Sequence, residues 1–316
     1  MKSLSKPEHM LIATGAHLLD ATRQTLPELP QSSFLGEPYA KNTAPCIAWA
    51  VERIHRQDPQ ALVVVVPSDQ YIQDATEFER ILRLAIDSAA TDVLTVLGIE
   101  PTRPETGYGY IESGAEVRPG VRQVKRFVEK PNRETAEAYL RQGGFYWNAG
   151  MFVFRASVFM KELQRSMPDL AQGVRDVGQA ATRGADAETD AVEALFRSTA
   201  SISIDYGVME KAPKIQVVPA DFGWNDLGSF QVAWELSSKD GSGNVLPSGA
   251  MAMDASDNFV LDGRSGPDGR IVALVGVSDL CVVQTDDALL IIPRQRCQEV
   301  KDIVVALQEA KRHTLL

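Results

Sequence analysis

The sequence has 316 residues, of which 44% are hydrophobic and 23% charged, and a formal net charge of −10. That is the make-up of a soluble globular protein with one large and one small domain. It excludes a nucleic-acid reader, which needs a basic stripe to displace phosphate counterions, and with no apolar run near the ~20 residues of a membrane span it excludes an integral membrane protein.

The N-terminal MKSLSKPEHM has a lysine but no apolar core behind it, so no secretory signal is read. Residues 10–14 (MLIAT) read as a short strand and 16–26 as a helix that the prolines of LPELP stop. ATGAHLLDATR holds one glycine, too few for a phosphate loop. TAPCIAWAVERIHR at 43–56 reads as a helix with Thr43 as N-cap and Pro45 in its first turn. The free amides of such a helix start, with Asn42 and Thr43, could meet a purine edge; simple capping is the competing reading. ALVVVVP at 61–67 is apolar and β-branched throughout, which suits a strand buried on both faces of a parallel sheet. Asp69 follows it, where open α/β sheets bind ligands, and offers a hard oxygen donor for Mg²⁺; a local turn bond is the alternative. A helix over 74–89 and a strand over 92–99 continue the βαβ alternation of a layered α/β sheet.

The next strings carry more chemistry. ETGYGYI at 105–111 contains a turn, around Gly107 and Tyr108, whose glycines let the backbone approach a ligand closely. RFVEKP ends a strand at Pro131 with an acceptor, Glu129, beside a cation, Lys130. That pair suits a phosphorylated polyol: the carboxylate takes hydroxyls and the ammonium takes phosphate. The competing reading is a solvated surface pair. Asn148, in YWNAGMFVF, could read sugar hydroxyls or satisfy the backbone of a bulge. Residues 156–200 read as a polar, helical surface subdomain, and KIQVVPA at 214–220 as a strand. Asp226, in GWNDLGSF, is either the cap of a helix starting near Leu227 or a second carboxylate for the metal of Asp69. From about residue 240, turn clusters (KDGSGN, and RSGPDGR at 264–270) separate short strands, without a visible internal repeat. The domains are therefore drawn at 1–238 and 239–316. The terminal helix places Val300, Ile303, Val304 and Leu307 on one face, open to packing on its own domain or to a homodimer. Cys46, Cys281 and Cys297, odd in number and without metal spacing, fit idle thiols in a reducing cytoplasm.

In this order, EPYAKNTAPCIAWA, VVVPSDQYI, GIEPTRPETGYGYI, RFVEKP, YWNAGMFVFRAS, SIDYGVMEK and GWNDLGSF resemble the bacterial mannose-1-phosphate guanylyltransferases. The resemblance covers most of the chain and implies a Rossmann-like nucleotidyltransferase sheet with a small β-rich C-terminal domain. It implies GTP and mannose 1-phosphate as substrates and Mg²⁺ held by Asp69 and Asp226. Lys130 would hold the sugar phosphate and Glu129 the sugar hydroxyls, with Gly107, Tyr108 and Asn148 beside them. Asn42 and Thr43 would face the guanine, and the small domain matches a dimerisation region. The isomerase domain of bifunctional relatives is not part of this sequence. The family opens with a strand, a GGxGxR loop and a helix bearing a lysine, and no such string occurs here. The expectation is a sheet short of its first strands and an impaired grip on the triphosphate, from a misplaced start, a fragment or a decayed copy. A catalytically silent relative that binds sugar phosphate is the alternative.

Overall fold

The computed structural model describes residues 4–266 and 271–312, so the end of the 264–270 turn cluster lies outside the described residues. The chain divides into two units: residues up to 68 with 72–224, and residues 69–71 with those from 225 onward.

The first unit opens with β1 (Ile12–Gly15), α1 (Leu19–Thr25), β2 (Phe34–Glu37) and α2 (Thr43–Gln57). β3 (Leu62–Val65), β4 (Tyr71–Ile72), α3 (Ala75–Ala89), β5 (Leu94–Ile99), β6 (Tyr110–Arg118) and β7 (Val121–Val128) follow. Then come α4 (Arg133–Gln142), β8 (Phe145–Arg155), α5 (Ala156–Ser166), α6 (Pro168–Ala181) and α7 (Ala185–Ser198), and last α8 (Ile204–Gly207), β9 (Ile215–Ala220) and β10 (Trp224–Asn225); Tyr71 of β4 and Asn225 of β10 are counted with the second unit. β1 and β2 form a parallel pair of their own. The main sheet runs β3-β8-β5-β9-β7-β6, with β6 also bonded to β8. Within it β5 and β9 are parallel, while β8 runs antiparallel to β3 and β5. β5 is buried along its whole length.

Helices cover both faces of this sheet. On one, Trp49 and Val51 of α2, Phe159 and Leu163 of α5, Leu170 and Val174 of α6 and Leu195 and Phe196 of α7 pack onto Val96, Phe152 and Phe154. On the other, Ile81 and Leu82 of α3 and Tyr139 of α4 pack onto Leu97, Met151, Val153 and Val218. Two sequence expectations change here. Residues 156–200 are not a surface subdomain: their three helices join α2 in packing the core on one face of the sheet. The apolar run at 61–67 is not a central parallel strand, because β3 pairs with β8 alone and lies at the sheet edge, with Leu62 exposed. An apolar run reports burial of its faces and is silent about how many neighbours bond its edges.

The second unit holds α9 (Phe230–Leu236), β11 (Met251–Met253), β12 (Phe259–Asp262), β13 (Ala273–Val275), β14 (Leu280–Gln284), β15 (Leu289–Pro293) and α10 (Val300–Glu309). β11 lies parallel to β13 and β12 parallel to β14. Met251 pairs with Ala273, Ser256 bridges Ser278 and Phe259 pairs with Cys281, all at one constant spacing. Residues 251–262 and 273–284 are thus successive coils, an internal repeat that the sequence reading did not detect. Both coils turn through an aspartate in the left-handed region, Asp257 at φ 56° and Asp279 at φ 58°. Buried asparagines staple the coils: Asn258 Nδ2 donates to Asn244 Oδ1 at 2.9 Å, and the Leu280 amide donates to Asn258 Oδ1 at 3.0 Å. Each such bond satisfies polar groups that would otherwise be costly to bury.

Candidate functional site

The end of β7 sets two side chains at an unusual backbone position. Lys130 has φ 47°, and Pro131 behind it disfavours the ordinary helical alternative. A lysine held in the left-handed region marks a position that its surroundings over-determine. Its Nζ lies 3.3 Å from Glu129 Oε1, with the lysine side chain 60% exposed and the glutamate 10%. The other glutamate oxygen, Oε2, is buried without a hydrogen-bond partner. It lies over Gly109, where a Cβ would sit 2.5 Å from it. Burial, and then the charge of Asp205, pushes the Glu129 carboxyl up.

Asn148 stands next to this pair because its amide donates to the Gly109 carbonyl at 2.8 Å. The β5–β8 register slips at this point, and Gly150 turns at φ 67°. The Gly150 amide donates to Asn148 Oδ1 at 3.1 Å, and Asn148 Nδ2 donates to Asp205 Oδ1 at 2.7 Å. Asn148 therefore does satisfy a bulge, as one of its two readings held. Asp205 sits in α8, whose Ser203 cap accepts from the Tyr206 amide. Desolvation raises the Asp205 carboxyl; at Glu210 burial does the same, followed by repulsion from Asp205. Sequence reasoning missed Asp205 and Glu210. The signal was two acids set among apolar residues in SIDYGVMEK.

The Gly107 amide, expected to face a ligand, donates to Glu105 Oε1 at 3.1 Å. Tyr108 packs edge-on against Trp147 at 5.2 Å and Trp224 at 5.3 Å, with Arg103 over the Trp147 ring. The glycine that makes room at the glutamate is Gly109, not Gly107.

At the start of α2 the cap is Asn42, at φ 64°, whose side chain accepts from the Thr43 amide at 2.9 Å. Thr43 is the first helical residue, and this corrects its reading as the cap. Its hydroxyl accepts from the Ile204 amide at 2.9 Å, and the Ala44 amide donates to the Ile202 carbonyl at 3.1 Å. These amides are engaged rather than free, and they tie α2 to the turn carrying Asp205.

Asp69 and Asp226 belong to the second unit. Asp69 is exposed and Asp226 half-buried. Asp69 shortly precedes β4 and Asp226 directly follows β10, and these two strands are hydrogen-bonded neighbours. Asp226 Oδ1 accepts from the Gly228 amide at 3.1 Å, and a Cβ on Gly228 would sit 2.6 Å from Asp226 Oδ2. Asp226 does not cap the following helix; Ser229 does. Among the described residues no three His, Cys, Asp or Glu side chains gather as a metal site. Two hard carboxylates still fit Mg²⁺, which keeps several waters and takes the rest of its shell from substrate phosphates.

Similarity to known proteins runs along most of the chain. The family described as nucleotidyl transferase matches residues 5–243, and a MannoseP isomerase/GMP-like beta-helix domain matches residues 250–307. The Xanthan biosynthesis protein XanB of Xanthomonas campestris pv. campestris (strain B100) is 41% identical over 89% of this chain and 58% of its own length. A mannose-1-phosphate guanylyltransferase of Escherichia coli is 38% identical over 99% of this chain and 66% of its own. The chain thus spans a little over half the length of the first of these relatives. Among solved structures, a mannose-1-phosphate geranyltransferase from Thermus thermophilus superposes with a TM-score of 0.81 at 29% identity, covering 97% of this chain and 86% of that one.

Proposed function

Because the chain belongs to the nucleotidyl transferase family, we propose that it transfers GMP from GTP to mannose 1-phosphate, giving GDP-mannose and pyrophosphate. The observation that carries this reading is the end of β7: a half-exposed ammonium and a buried, unpartnered carboxylate oxygen from adjacent residues. An ester of phosphate and a polyol has the complementary pair of groups. In the proposed reaction a phosphate oxygen of the sugar attacks the α-phosphorus of GTP as the bond to the departing pyrophosphate breaks. That oxygen is already a competent nucleophile, so the protein's part is alignment and charge neutralisation. Lys130 holds the sugar phosphate, and Glu129 and Asn148 take hydroxyls, while Gly107 and Tyr108 shape the turn beside them. Asn42 and Thr43 belong to the segment assigned to the guanine. Asp69 and Asp226 are the residues that would hold Mg²⁺, which when bound offsets phosphate charge.

A reaction that consumes GTP belongs in the cytoplasm, and all three thiols are free, as a reducing compartment leaves them. No described helix is long and apolar enough to cross a membrane. A second copy of the chain is the proposed partner.

The test incubates the chain with GTP, mannose 1-phosphate and Mg²⁺ and follows pyrophosphate. Release is expected to need all three, and Lys130→Met is expected to lower kcat/KM by roughly 100-fold, the usual effect of removing one donor from a phosphoryl site. Calorimetric titration with each substrate alone runs in parallel. Failure to bind mannose 1-phosphate, or a fully active Lys130→Met, would sink the reading.

A further inference from the structure

We propose that Asp205 is a positioning residue for the hexose end of the site, acting through Asn148. The inference rests on the sugar-phosphate reading above and gives a task to a residue that reading does not use.

An asparagine amide can sit either way round, since its oxygen and nitrogen have the same shape. Here two neighbours decide. The Gly150 amide can only donate, so it requires Oδ1, at 3.1 Å. An ionised Asp205 carboxylate can only accept, so it requires Nδ2, at 2.7 Å. With both ends fixed, Asn148 keeps one N–H and one oxygen lone pair for a ligand, in set directions. Asp205 is itself held: its neighbour Ile204 is tied by its amide to the Thr43 hydroxyl on α2 at 2.9 Å. The same turn carries Glu210, whose carboxyl burial and then the charge of Asp205 push up, so one short segment sets two acids beside Asn148 and Glu129.

Glu129 supplies a second, independent sign of a ligand. Its side chain is nine-tenths buried, and its Oε2 has no partner. A buried acceptor left unpaired is costly unless something completes it. A sugar hydroxyl that donates to Glu129 and accepts from the fixed Asn148 N–H would do so. Reversing the Asn148 amide would set two acceptors against that hydroxyl, so the inference also names what discriminates a sugar phosphate from bare phosphate.

The experiment compares wild type with Asp205→Asn, a change that keeps size but lets position 205 donate or accept. Affinities for mannose 1-phosphate and for inorganic phosphate are measured by calorimetry, and the Asn148 side-chain amide is followed by ¹⁵N NMR. The expected result is roughly a tenfold loss for mannose 1-phosphate, the usual scale of one charge-assisted hydrogen bond, with phosphate affinity kept. The Asn148 Nδ2 protons should lose their exchange protection. The double variant Asn148→Asp with Asp205→Asn restores a bond between the two side chains with reversed polarity, so it should recover thermal stability but not sugar affinity. Unchanged mannose 1-phosphate affinity in Asp205→Asn, equal losses for both ligands, or recovery of sugar affinity in the double variant would each overturn the inference. A wild-type chain that binds phosphate but not mannose 1-phosphate would instead overturn the function on which it rests.

Discussion

Glu129 carries a cost that should be measurable as a function of pH. Burial, followed by repulsion from Asp205, raises its carboxyl above the ordinary 4.5, against the pull of the Lys130 ammonium. The folded protein therefore binds this proton more tightly than the unfolded chain does. The stability tied to that proton is fully present below 4.5 and is lost as pH rises through the folded value. Glu129→Gln removes the titration while keeping the shape. Its melting temperature relative to wild type is expected to climb as pH rises from 4.5 to neutrality, read in parallel thermal melts. A constant difference across that range would mean the carboxyl is not desolvated as the geometry implies. At this scale the sequence was informative where a residue type is unusual for its place. Glu129 and Lys130 stood out because an apolar stretch and a proline fix their strand end. Asp205 and Glu210 did not, because Asp205 acts on Asn148 and Glu210 acts through its charge on groups far back along the chain, and no spacing rule encodes that. Which glycine of ETGYGYI lies against Glu129 is likewise a matter of the fold, and the structure puts Gly109 there.

Elements were legible in type and less so in rank. The helices over 43–56 and 74–89 and the strands over 92–99 and 214–220 have the apolar spacing of their kind, and the structure puts them within a residue or two of those limits. What the pattern misjudged was depth. Residues 156–200 look polar because their outward faces are rich in Asp, Glu, Arg and Gln, yet one face of each helix is core: Phe159 and Leu163, Leu170, Val174 and Val177, and Val192, Leu195 and Phe196. Phe159 is fully buried and stacks on Phe154 with ring centroids 4.6 Å apart. Phe159→Ala is accordingly expected to cost about 3–5 kcal/mol, the range for a large aromatic cut out of a packed core. Chemical denaturation would read this as a shift in midpoint. A loss below ~0.5 kcal/mol, the scale of surface changes, would return the three helices to the periphery. The coil repeat of the second unit escaped notice because each coil is short and shares little beyond Ser-Asp at 256–257 and 278–279. Those aspartates matter for their left-handed backbone, which is a property of conformation and leaves only a weak mark in composition.

At the scale of the whole molecule, the second unit exposes several large apolar side chains on its strands and last helix. Met251 and Met253 on β11 pair in register with Ala273 and Val275 on β13, and the two outer residues, Met253 and Val275, are 61% and 64% exposed. On β15 Leu289 and Ile291 are exposed as well, and on α10 Ile303, Val304 and Val305. Scattered apolar residues on a surface need no explanation, but strand pairs that present them together form a patch, and patches mark association. Burying apolar area is the way such a patch drives association, and a two-fold pairing of identical patches is the commonest way to do so. We therefore expect a homodimer by light scattering coupled to gel filtration. The substitutions Met253→Glu and Val275→Glu together should give a monomer that keeps the parent's circular dichroism, because neither side chain supports the core, while its melting temperature falls and loses its dependence on concentration. A parent that runs as a monomer at micromolar concentration would overturn the expectation. A dimer that survives both glutamates would move the interface to β15 or α10, where Ile291→Glu and Val304→Glu are the next positions to change.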